Sequence, residues 1–356
     1  MGIYHVVTGA TDAIGAALVL QLAADTNDEM ICVVQPGDNP KERLHTALQR
    51  TAFDCLLSSQ TLVTAQRRTR VLPYDLAGGQ PGPLTALPRG TQCAFWHAAT
   101  ARPPYTSPTA DVALTEGAIK LARHIGVTQF NHFSTIHVAG RQQGPIQEEP
   151  IWHPSPRNAY EAGRIATEHF LAKLTDLPIR TLRVGTVVGH SVTHRYPGRA
   201  DGLFLAQRLI SRHLHRSPAT TPKILAQGTG LAHLVPVDHV ARDAVQLHQV
   251  SAPPRTYHLT NATPLASLAV LEALVANSGA GQPELVTQAA ALTTADRRLH
   301  RLLAPYTPYI DDHRHFDRSK TDLALCRDRP TGWTADPHTL QQLFRPFVDH
   351  SHHNVR

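Results

Sequence analysis

Apolar, β-branched runs alternate with stretches of helical periodicity through the first half of the chain. Strand-like runs cover Ile3–Val7, Met30–Val34, Arg70–Leu72, Cys93–Trp96, Phe130–Phe133 and Ile179–Val184. Helix-like stretches cover Ile14–Ala24, Pro40–Ala52, Ala110–Ile125 and Ala159–Leu174. Strand side chains change face at every residue, whereas a helix returns to one face every 3.6, so the two periods separate cleanly. Their alternation predicts a parallel sheet covered by helices on both faces. After Val184 the rhythm breaks into a polar, histidine-bearing stretch and a helix near Leu203–His215. It resumes briefly at Leu234–Gln249 and Tyr257–Leu259. The expected architecture is α/β, a doubly wound parallel sheet with a smaller, mostly helical C-terminal cap. Pro81–Pro88 and Arg102–Pro108 read as proline-rich loops.

Composition narrows the function classes. With 356 residues the chain is long enough for a core domain plus a cap. No apolar run approaches the roughly 20 residues that span a bilayer, so no membrane partner is expected. The net charge of +6 rests on scattered arginines and only five lysines, without a basic stripe, so no nucleic acid is expected either. Cys32, Cys55, Cys93 and Cys326 show no CxxC spacing, and the strand-like run starting at Ile3 leaves no room for a secretory leader. A cytoplasmic setting fits both observations. The histidine-rich end (His350, His352, His353) reads as a solvated tail, and no metal site is expected.

The first strand ends in TGATDAIG, followed at once by an apolar helix. A glycine turn at such a junction lets backbone amides and a helix N-terminus face a pyrophosphate, which makes the sheet Rossmann-type. Residues 1–189 and 233–262 are then the dinucleotide-binding domain, 190–232 and 263–350 the substrate-binding cap, and 351–356 the tail. Thr8, Gly9, Thr11, Asp12, Ala13, Ile14 and Gly15 are the turn's cofactor candidates. Gly9 and Gly15 stand where the first and last glycines belong, but the middle one is missing. Asp12 replaces it in one form of the motif, Ala13 in the other. An aspartate there repels phosphate; an alanine adds one methyl group. At the end of the second strand, where an acid would bind the ribose of NAD, stands Gln35, with Lys41 and Arg43 shortly after. A neutral amide and two cations favour NADP(H), with NAD(H) left open.

Six further motifs occur in order: VLPYDL (71–76), FWHAA (95–99), HFSTIHVAG (132–140), NAYEAGR (158–164), RVGTVVG (183–189) and VPVDHVA (235–241). Together they resemble the extended short-chain dehydrogenase/reductase superfamily. VVQPGDNPKERL and FDRSKTDLAL are most similar to its thioester-reductase and fatty-acyl-reductase group. The resemblance implies that Asp75, Leu76, His97, Ala98, Ala99, Tyr160, Arg164 and Val187 also line the cofactor. It further implies a Ser/Thr–Tyr–Lys catalytic set, carried here by Thr135, Tyr160 and, in place of lysine, Arg164.

Tyr160 follows Thr135 by 25 residues and should open a helix, one turn from residue 164 on the same face. A tyrosine can protonate a carbonyl oxygen when a nearby cation lowers its pKa. Arg164 keeps the charge but cannot release a proton, and the relay asparagine of the resemblance falls on Leu114. His137 shares a strand face with Thr135, and a catalytic role for it stays open beside a packing one. His137, His153, His190, His194 and Tyr196 are the substrate-side candidates. Three functions remain: an NADP(H)-dependent oxidoreductase acting on a carbonyl, thioester or alcohol, a dehydratase, isomerase or cyclase on the same fold, and a non-catalytic nucleotide-binding regulator. The substrate would be a small molecule or a carrier-bound acyl group, and a homodimer is compatible with the pattern.

Overall fold

The computed structural model describes residues 3–79, 92–101, 108–216, 221–250, 256–327 and 332–348. The first proline-rich loop, nearly all of the second and the histidine-rich end fall outside them. Seven parallel strands form the central sheet: β1 (Tyr4–Thr8), β2 (Glu29–Val34), β3 (Thr69–Pro73), β4 (Cys93–His97), β5 (Gln129–Thr135), β6 (Ile179–Val184) and β7 (Thr256–Leu259). Their spatial order is β3-β2-β1-β4-β5-β6-β7. The order reverses between β1 and β4, and in open α/β sheets ligands bind at the carboxyl ends of the strands beside such a reversal. Register puts Thr8 opposite both Val33 and His97, His97 opposite His132, and Thr135 opposite Val184. The chemistry-bearing residues therefore share one edge.

Helices α1 (Ala13–Asp25), α2 (Pro40–Asp54), α3 (Ser59–Arg68), α4 (Thr109–Ile125) and α5 (Ala159–Ala172) alternate with the strands. After β6 the chain leaves for α6 (Gly202–His215) and returns with α7 (Val237–His248) before β7. Nine of the residues in α1 are buried, which explains its nearly all-apolar sequence: it packs against β1, α3 and α7 rather than facing water on one side. Helix α3 has no apolar stripe, only Ala65 being buried, and the sequence pattern does not foresee it. It packs on α1 through Ala65 and Leu62 and is fixed at its ends. The Ser58 hydroxyl accepts the amide of Thr61 at 3.0 Å, and Arg68 donates to the carbonyls of Thr26 and Asp28 at 2.7 and 3.2 Å.

Two compact units result. The first comprises Met1–Gly198, Val235–Thr260 and Phe316–Thr331; the second comprises Arg199–Leu234, Asn261–His315 and Gly332–Arg356. The second holds α6, α8 (Ser267–Ala276), α9 (Thr294–Leu303) and, past the first unit's short α10 (Ser319–Ala324), α11 (Pro337–Phe344). Its strands are short pairs, such as Lys223–Leu225 with Glu284–Val286. The pattern assigned all of 263–350 to the cap, but residues 316–327 belong to the sheet's unit. Glu148 helps to hold them there, a buried carboxylate that accepts the amides of His258 and Lys320 at 2.7 Å and of Thr321 at 3.0 Å, and Arg327 pairs with Asp243 at 2.6 Å. Among the described residues no helix is long and apolar enough to cross a membrane.

Candidate active site

Gly9 follows β1 with φ +71°, a region that glycine enters without strain. A Cβ there would lie 2.7 Å from Ala98 C and Ala99 N, and one on Gly15 would lie 2.2 Å from Gly9 O. Three backbones thus cross where a side chain would hold them apart, the close approach a dinucleotide turn requires. Asp12 donates its amide to Gly9 O at 3.0 Å and occupies the N-cap of α1, but its side chain takes no capping bond. The carboxylate is therefore not spent on the helix end, and it stands at the anion-binding terminus as the feature that fits a pyrophosphate least. Arg43, on α2, donates to the carbonyl of Gln35 and lies 3.9 Å from the position of a Cβ on Gly37. The cation and the neutral end of β2 meet as the sequence expects.

A directed chain of hydrogen bonds underlies the turn. The Thr115 hydroxyl donates to Asp111 O at 2.9 Å, so it must accept from His97 Nε2 at 3.1 Å. His97 Nδ1 is then the acceptor of the Thr8 hydroxyl at 2.9 Å, and Thr8 accepts the amide of Ala99 at 3.3 Å. Ala98 and Ala99 are pinned against Gly9 in this way. Burial, reinforced by the Arg164 charge, pushes the His97 pKa down to about 3. His132 stacks on it with centroids 5.5 Å apart and is likewise held neutral by burial and then by Arg164.

Thr135 ends β5, buried, and its hydroxyl accepts the amide of His137 at 3.3 Å, opening a 3-10 turn over Ile136–Ala139. Helix α5 begins as predicted. Asn158 caps it by accepting the amide of Glu161 at 2.9 Å, and buried Glu161 accepts the Arg157 Nε at 2.9 Å. Tyr160 sits in that fixed first turn. Its ring meets the His137 ring edge-on, with centroids 6.4 Å apart and planes at 64°. Thr135, His137 and Tyr160 are thereby gathered at one strand end.

Arg164 takes a different direction. Its side chain is 3% exposed; it donates to the carbonyl of Phe133 and lies 3.7 Å from the carboxylate of Asp111, which also accepts the amide of Ala101 at 2.7 Å. One turn on, Glu168 accepts Ser134 Oγ at 2.5 Å and pairs with buried Arg183 at 2.7 Å. Two charged contacts thus staple α5 to β5 at Phe133 and Ser134, the two residues before Thr135. Asp111, Thr115, Glu168 and Ser134 escaped the sequence reading. Asp111 looks like any solvated acid in a first helical turn, and the i, i+4 spacing of Asp111 and Thr115 is the only signal that could have marked it.

The other candidates are dispersed. His190 accepts the amide of Thr193 on Nδ1 at 3.2 Å and stands 3.7 Å from Asp238; Thr193 donates to Asp54 O at 2.5 Å. His194 lies in the same strap at φ +60°, and Tyr196 packs with Ala13, Ala17 and Cys55. His153 is exposed. Asp75 holds the amide of Ala77 at 3.0 Å, Leu76 is buried against α4, Val187 packs on the core, and Leu114 packs with the cluster around Phe95. No group of metal-binding side chains occurs among the described residues.

Residues 7–244 match the male sterility protein family, and the chain belongs to it. It is thus an extended short-chain dehydrogenase/reductase by family, matched by an NAD-binding family model. Among curated proteins it is 27% identical over 271 residues to an isonitrile lipopeptide synthase of Streptomyces coeruleorubidus, covering 72% of this chain and 17% of that protein. The chain spans about a sixth of that relative's length. Among solved structures it resembles the terminal R domain from the myxalamid PKS-NRPS biosynthetic pathway, with 20% identity, 98% and 91% coverage and a TM-score of 0.70. It also resembles the UDP-glucuronic acid 4-epimerase of Bacillus cereus in complex with NAD, with 18% identity, 97% and 98% coverage and a TM-score of 0.64.

Proposed function

We propose that the protein is an NADP(H)-dependent reductase of carbonyl or acyl-thioester groups, small or carrier-bound. The observation that carries this reading is the convergence of Thr135 and Tyr160 on the sheet edge that also bears the Gly9–Gly15 turn. The turn and the amides of α1 would hold the pyrophosphate, with Arg43 at the adenosine ribose. The cofactor, when bound, supplies hydride. Thr135 donates its hydroxyl to the substrate oxygen, and Tyr160 passes its phenolic proton to that oxygen as it gains charge. Arg164 fixes the end of β5 through Phe133 O. A resemblance to an R domain supports the acyl substrate class, and a cytoplasmic setting goes with it. The epimerase-like fold and the inward-turned Arg164 favour, as a second reading, chemistry on this fold without net reduction.

Two titrations test the cofactor half. NADPH should bind more tightly than NADH by calorimetry, and Arg43→Ala should weaken NADPH about tenfold while sparing NADH, the value of one charge-assisted hydrogen bond. A preference for NADH, or equal losses, removes Arg43 from the 2′-phosphate. Asp12→Gly should tighten both cofactors about fivefold, since it removes a repulsion on the order of 1 kcal/mol at a partly solvated site. Weaker binding would mean that Asp12 serves the helix end instead.

A further inference from the structure

We propose that His137 returns to Tyr160 the proton that each turnover removes, doing what Leu114 and Arg164 cannot; this rests on the reductase reading. Leu114 is packed in the apolar cluster around Phe95 and has no polar atom to hold a relay water. Arg164 stays protonated and is committed to Phe133 O and Asp111. Three histidines crowd the ends of β4 and β5. Of these, His97 and His132 are fully buried and neutral, and the two nitrogens of His97 are taken by Thr8 and Thr115. His137 alone of the three is partly exposed, and its ring is the one that meets Tyr160. Its main chain is fixed by the bond to Thr135 Oγ1 and by Gly140 N, which donates to His137 O at 3.0 Å.

The charged groups on the elements packed around the 136–139 turn are engaged elsewhere. On α5, Glu161 pairs with Arg157, Arg164 with Asp111 and Glu168 with Arg183. In the segment that packs on Ile136 and Ala139, Glu148 holds Thr321 and the amide of His258, Glu149 pairs with Lys320, and Asp317 holds Ser319. His169, the histidine of α5, is tied to Ile151 O at 2.9 Å, so among the described residues on these elements the His137 imidazole is the ring that meets the phenol.

The step balances. The Tyr160 O–H bond breaks as its proton joins the carbonyl oxygen and the cofactor's hydride forms the new C–H bond. The His137 imidazolium N–H then breaks to rebuild the Tyr160 hydroxyl, directly or through one water, and solvent reprotonates the ring. One hydride and one solvent proton are added overall. His137 acts through Tyr160 and touches no reacting atom.

The test follows NADPH oxidation with a short-chain aldehyde from about pH 6 to about pH 9 in the wild type and in His137→Gln. Wild-type kcat should fall as pH rises and the imidazolium that donates the proton is lost. In His137→Gln, kcat at about pH 6.5 should drop about thirtyfold with KM within about twofold, become flat with pH, and recover when free imidazole is added. NADPH affinity within about twofold of wild type shows that the variant folds. A variant with the wild-type rate and profile, or with a loss that imidazole does not restore, overturns the proposal. A wild type that leaves the aldehyde untouched overturns the reductase reading and the proposal together, so the two failures are distinct.

Discussion

Acidification from about pH 7.5 to about pH 5 should remove about 6 kcal/mol of folding stability, most of what a typical domain has. The main cause is three histidines held as neutral rings by burial, His97, His248 and His258, with His132 adding in the same direction. His97, His248 and His258 are held at a pKa of about 3, and His132 well below the ordinary range. In each case burial is the main cause, and a guanidinium adds to it: Arg164 beside His97 and His132, Arg183 beside His258. The unfolded chain binds protons at these rings near pH 6.5 and the folded one does not. Their contribution is therefore complete above about pH 6.5 and declines as pH falls towards the folded values, by about 2 kcal/mol at about pH 5 for each ring held at about 3. Urea unfolding at the two pH values should show a midpoint that collapses while the slope is kept. Equal midpoints would mean that these rings take up protons in the folded state.

Much of this was legible in the chain. The alternation of short continuous apolar runs with stretches of helical periodicity is a direct consequence of a parallel sheet buried on both faces, so the seven strands and most of the helices between them stood out. The glycine turn was readable because a backbone crossing tolerates no side chain, as Gly9 and Gly15 show. Helix α3 was not, since capping and the reach of Arg68 to distant carbonyls leave no periodic trace. The return of residues 316–327 to the sheet rests on distant partners: Glu148 collects amides from segments more than a hundred residues away, and Arg327 pairs with Asp243. Partners so distant in sequence carry no local signal. The direction taken by Arg164 was hidden for the same reason. Its residue type advertises a charge, but Asp111 and a main-chain carbonyl of β5 decide where that charge goes.

Replacing Tyr160 by phenylalanine should abolish reduction, lowering kcat by about 10²–10⁴-fold, the usual weight of a positioned acid. The substitution removes only the hydroxyl. The ring keeps its edge-on contact with His137, and the first turn of α5 keeps its Asn158 cap and the Arg157–Glu161 pair, none of which involves the phenol. Cofactor affinity and thermal stability should therefore stay close to wild type, which separates lost chemistry from lost structure. The decisive measurement is NADPH oxidation by wild type and Tyr160→Phe on one acyl thioester of pantetheine and on its aldehyde, with NADPH affinity determined for both proteins. The account predicts consumption of NADPH and release of thiol or alcohol by the wild type, and none by a variant that still binds NADPH. An equally active Tyr160→Phe, or a wild type that binds NADPH and oxidises none of it on either compound, would contradict it.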